Sequence, residues 1–91
     1  MSSNAEPHLP RARLDGIEFT PADEACLLYD PARERMHSLN WTAMFVLHGC
    51  DGQADAAAIA GRLQHAFALE APPLGEVEAC LRMLEEAGLV A

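Results

Sequence analysis

The chain contains no lysine. Its basic complement is six arginines, set against 14 Asp and Glu residues, for a net charge of −8. Such a balance repels polyanions, and it excludes binding that draws its affinity from neutralised phosphates and released counterions. Long apolar runs are missing too. Nothing approaches the roughly 18 residues that a membrane span requires, and the opening stretch, MSSNAEPHLPRAR, lacks the apolar core of a secretory signal. The expectation is a cytoplasmic protein with no nucleic-acid and no membrane partner. Cysteine is sparse and odd in number. Cys26, Cys50 and Cys80 lie about 24 and 30 residues apart, which argues against a disulfide framework and fits buried thiols in a reducing compartment.

Catalytic signatures are equally scarce. No nucleophile elbow, paired-carboxylate site or phosphate-cradling glycine loop is present. His48-Gly49-Cys50 offers two metal ligands, but no second pair stands at zinc-finger spacing, so packing at a helix end is the better reading. The chain is expected to be no enzyme and to carry no metal and no cofactor.

What is present is a chain of 91 residues, 51% hydrophobic, enough for one domain with a modest core. Residues 1–13 are polar, contain Pro7 and Pro10 and keep no period, so they read as a flexible arm; the domain is expected over residues 14–91. Ile17 and Phe19 flank Glu18, and Ala25 to Tyr29 forms a short apolar run, both consistent with strands. Pro31 suits the second position of a turn over Asp30 to Glu34, and Arg35 to Leu39 resumes as a third strand.

The period changes at Asn40, a favourable N-cap for a helix over Trp41 to Leu47 that is apolar on nearly every side and should be the most buried. Gly49 and the pair Asp51-Gly52 end it. Asp55 can cap a second helix with Ile59, Leu63 and Phe67 on its apolar stripe. Pro73 fits the first turn of a third helix, whose stripe is Val77, Cys80, Leu81, Leu84 and Met83, and Gly88 closes it. The fold class is therefore α+β: a winged-helix-like domain with a three-stranded antiparallel sheet followed by three helices. An outer strand of that sheet, lying beside an apolar helix, would make a groove for an extended peptide.

Four short pieces in order, Leu28-Tyr29-Asp30-Pro31, Met36-His37-Ser38-Leu39-Asn40, Cys50-Asp51-Gly52 and Ala87-Gly88-Leu89-Val90, give the chain a resemblance to the PqqD-like family over roughly Glu24 to Ala91. The resemblance implies a non-catalytic peptide chaperone, a recognition element that binds the leader of a ribosomally made precursor peptide. It would present that leader to a modifying enzyme such as a radical SAM protein. The resemblance also implies a peptide edge at Arg35, Met36, His37, Ser38 and Leu39, facing a helix wall of Val77, Cys80, Leu81 and Leu84. The long turn from Asp30 to Glu34 and the Trp41 helix start depart from the group serving pyrroloquinoline quinone assembly. They suit the wider family, which includes lasso-peptide members and a group found beside a kinase-related protein.

Blander readings stand beside these. Met36, Leu39 and the third-helix stripe can be core, His37 can be a solvent-facing strand residue, and Glu76, Glu78, Glu85 and Glu86 can form a solvated face or meet a basic leader. An adaptor or dimerisation module, with a possible homodimer, is the alternative from another class. A DNA-binding winged helix is disfavoured, because the third helix sets those four glutamates against Arg82 alone.

Overall fold

A computed structural model describes residues 9–91. The element order is β1 (Glu18–Pro21), β2 (Ala25–Asp30), β3 (Arg35–Asn40), α1 (Trp41–His48), α2 (Ala56–Ala66) and α3 (Leu74–Glu86). The strands form one antiparallel sheet in the order β1-β2-β3, so β2 is central and β3 is an edge. The expected α+β arrangement, three strands and then three helices, is what the chain adopts.

The alternation of β2 explains which face is covered. Cys26, Leu28 and Asp30 are buried, while Ala25, Leu27 and Tyr29 on the other face are only partly so. In register, Cys26 lies opposite Leu39, Leu28 opposite His37 and Asp30 opposite Arg35, so those six share the face turned to the helices. The helices supply Val46, Leu47, Ile59, Val77 and Leu84 to the same core, each nearly or wholly removed from water. No Cα of β3 lies within 8 Å of a Cα of α3; between the sheet and α3 it is α1 that makes close contact with both.

The helix ends follow local chemistry. The Asn40 side chain accepts the Ala43 amide at 2.8 Å, and the Asp55 side chain accepts the Ala58 amide at 2.9 Å. Pro73 falls one place earlier than the first helical turn, at the N-cap itself. At the end of α3, Leu89 N–H donates to the Leu84 carbonyl and Gly88 N–H to the Glu85 carbonyl, with Gly88 at φ +78. This paired closure needs a left-handed residue, which glycine adopts without strain. Gly49 has a different reason for being glycine. Its φ is an ordinary −77, but an added Cβ would sit 3.2 Å from Ile59, so close packing of α1 on α2 is what keeps it small.

Two expectations about buried side chains need correction. Four-residue spacing puts Phe67 on the buried stripe of α2, but the helix ends at Ala66, Ala68 turns to φ +55, and Phe67 is 50% exposed. Met83 likewise stands 43% exposed on α3. The arm expected over residues 1–13 is also divided. Residues 1–8 lie outside the described residues, whereas residues 10–13 are bound to the domain. Pro10 is fully buried, Ala12 donates to Cys50, Arg13 donates to Leu89, and Arg11 and Ala91 exchange backbone bonds. Backbone pairing of this kind needs no apolar side-chain pattern, which is why a polar segment can be held so tightly.

Candidate functional site

The direction of the amides on β3 follows from one bond at the other end of the sheet. Ala22 N–H donates to the Ala25 carbonyl at 2.8 Å, which makes these two a hydrogen-bonded pair closing the β1–β2 turn. Along an antiparallel strand, successive residues turn their backbone groups to opposite sides. Ala25, Leu27 and Tyr29 therefore address β1, while Cys26, Leu28 and Asp30 address β3. Pro21, opposite Cys26, then falls in a non-hydrogen-bonded pair where its missing N–H costs nothing. Carried across to β3, the same phase turns Arg35, His37 and Leu39 toward β2. Met36 and Ser38 are left with N–H and C=O directed away from the sheet, and among the described residues no further strand pairs with that side.

Side chains and backbone groups of β3 thus divide the labour. Met36 and Ser38 offer the open backbone edge, while their side chains sit on the outer face, Met36 being 62% exposed. Arg35, His37 and Leu39 are bonded to β2 and turn their side chains to the helix side, where Leu39 is buried in the core. His37 is partly buried, and its Nε2 has no hydrogen-bond partner among the described residues. An orphaned polar atom of that kind costs about 1–3 kcal/mol.

α3 comes near the two ends of β3 in reverse order. Arg33 and Arg35 share a depression with Glu85, Glu86 and Gly88 at one end, and Thr42, just past β3, shares a cavity with Glu76, Val77 and Cys80 at the other. The cavity measures about 300 Å³ and is lined mainly by apolar side chains, with Val46, Leu63, Phe67, Leu69 and Pro73 completing it.

Of the residues expected in the helix wall, Val77 and Cys80 line this cavity. Leu81 faces a separate depression with Ala56 and Glu78, and Leu84 is fully buried in the core, so neither stands at the cavity. Thr42, Phe67 and Leu69 were missed by sequence reasoning. Phe67 carried a signal, its four-residue spacing after Leu63, but that spacing is read as core; Leu69 follows the end of α2, where periodicity no longer speaks.

Burial disfavours the thiolate at two of the three cysteines. Burial, reinforced by Cys80, Asp51 and Glu85 nearby, pushes Cys50 up to about 11, and burial also raises Cys80. Cys50 donates to the Val46 carbonyl at 3.2 Å, a helix-end contact consistent with a packing role. All three cysteines are free thiols. Among the described residues, no three His, Cys, Asp or Glu side chains converge into a group that could hold a metal, and no helix is long and apolar enough to cross a membrane.

Together these elements define a small α+β domain in which, among the described residues, one sheet edge is unpaired and an apolar cavity lies between the helices. The chain belongs to the PqqD family: the family model described as Coenzyme PQQ synthesis protein D (PqqD) matches residues 25–90, which span all of β2 through α3. No curated protein and no solved structure matches the chain.

Proposed function

We propose that this protein is a non-catalytic peptide chaperone of winged-helix-like form that takes the leader of a ribosomally made precursor as an added strand along β3. It would hold that leader for a modifying enzyme, such as a radical SAM protein, in the synthesis of a modified peptide or a peptide-derived quinone cofactor. The observation that carries the reading is the outward direction of the Met36 and Ser38 backbone groups on a strand edge left unpaired among the described residues, with α3 sharing a depression near each end of that strand. An incoming strand completes a ladder there through main-chain bonds, which supply affinity without demanding one sequence. Family membership supports the same assignment, since the family's description names coenzyme synthesis rather than a catalytic step of its own. The longer β2–β3 turn favours a place in the wider set of peptide-modification pathways. Backbone NMR during titration with labelled candidate leaders tests the proposal. Amide shifts should concentrate in residues 35–39 and 76–84, and shifts confined to residues 9–13 would contradict it.

A further inference from the structure

We infer that the cavity between α1, α2 and α3 is the pocket that selects the peptide, taking one large apolar side chain of the added segment while Glu76 on its rim recognises an Arg or Lys beside it. This rests on the strand-addition reading and assigns the chemistry of the ligand, which that reading leaves open.

Three observations carry it. First, the cavity is apolar and poorly covered. Val46, Leu63 and Val77 form its buried floor, while Phe67 and Leu69 stand 50% and 40% exposed at its mouth, and Phe45 steadies Phe67 in an edge-on contact with ring centroids 5.7 Å apart. A space of about 300 Å³ lined this way suits a large aliphatic or aromatic side chain, and burying one would also cover the exposed ring. Second, its position fits the register of an added strand. Residues paired opposite Arg35, His37 and Leu39 would turn their side chains to the helix side, and the one opposite Leu39 lies at the end where Thr42 and the first turns of α3 meet. Third, Glu76 is an exposed carboxylate on the lining of an otherwise apolar space. The rest of α3 adds Glu78, Glu85 and Glu86 against Arg82 alone, and the whole chain stands at −8 without a lysine. A cation is therefore favoured and an anion repelled at that rim.

The test is selection of random dodecapeptides by the full chain, repeated with Glu76→Arg and Ser38→Pro, each variant first shown by thermal melt to be folded. Peptides selected by the parent should share a large apolar residue with Arg or Lys within two positions of it. Glu76→Arg should exchange that basic residue for Asp or Glu, and Glu76→Gln should weaken the basic peptides roughly fivefold, as expected for one exposed charge pair. Ser38→Pro should lose them all. If the peptides depend on Ser38 but show no apolar and basic pairing, or if Glu76→Arg leaves the selection unchanged, the pocket assignment is overturned while strand addition stands. Peptides that survive Ser38→Pro overturn both. Sedimentation of the parent and Glu76→Arg covers the remaining occupant: a dimer broken by that change, with no peptide selected, makes the cavity an interface between copies and also overturns the assignment.

Discussion

The Arg33 guanidinium occupies the place where a Cβ on Gly88 would have to stand. The turn between β2 and β3 is thereby seated on the residue that ends α3, and Asp30 holds the turn from below by accepting the Arg33 amide at 3.3 Å. Gly88→Ala displaces the half-exposed, flexible end of Arg33 at little cost but also meets the strain of φ +78, so it should cost about 1 kcal/mol and lower Tm by several degrees. Arg33→Ala in the same chain should recover only a small part of the loss, because it removes the collision and leaves the backbone strain. A thermal melt of the single and double variants checks this; full recovery would mean that φ carries no cost there.

Removing the Asp55 cap separates stability from binding. Asp55→Ala deprives the Ala58 amide of its partner and should cost about 1 kcal/mol, while leader affinity of the folded fraction stays unchanged because Asp55 lies off β3 and the cavity. Denaturant unfolding and a peptide titration on the same variant give the two readings.

The buried thiols set an alkaline limit. The folded chain holds Cys50 near 11, against 9.0 for a free thiol. A group whose folded value is raised contributes stability in full below its unfolded value and loses it as pH rises through the folded one. Stability should therefore fall as pH climbs from about 9 to 11, and Cys50→Ala should flatten that part of the profile. At pH 8 the native protein should react slowly with a thiol reagent and rapidly once unfolded; fast native labelling of Cys50 would contradict the burial.

Much of the fold was legible in the sequence because its elements are announced by side chains. Asn40 and Asp55 mark helix starts through oxygens that accept backbone amides, and Gly88 marks a helix end by tolerating a left-handed turn. The candidate edge was legible only as a segment. Side-chain pattern places Arg35 to Leu39 on a strand, but the split between Met36 and Ser38 facing out and Arg35, His37 and Leu39 facing in depends on the phase set by Ala22 and Ala25 in another hairpin. The clasp of residues 10–13 on Cys50 and Leu89 left no trace for a similar reason, being made of backbone bonds. Phe67 misled because four-residue spacing cannot tell a helix interior from the residue just past its end.

The central claim is that affinity comes from the outward backbone groups of β3, and a pair of proline substitutions tests it most directly. Proline removes a backbone donor. At Ser38 the lost N–H faces away from the sheet, so the variant should keep most of its thermal stability and lose leader binding by tenfold or more, on the order of 1.4 kcal/mol. At Leu39 the lost N–H faces β2 and the side chain is buried, so the variant should fail in stability before binding can be read. Ser38→Ala, which keeps the amide, should bind within about twofold of the parent, since the ladder is intact. The measurement is leader affinity of Ser38→Pro beside its melt: a folded protein that no longer binds is the predicted result, and a folded Ser38→Pro variant that binds as tightly as the parent would contradict recognition by strand addition.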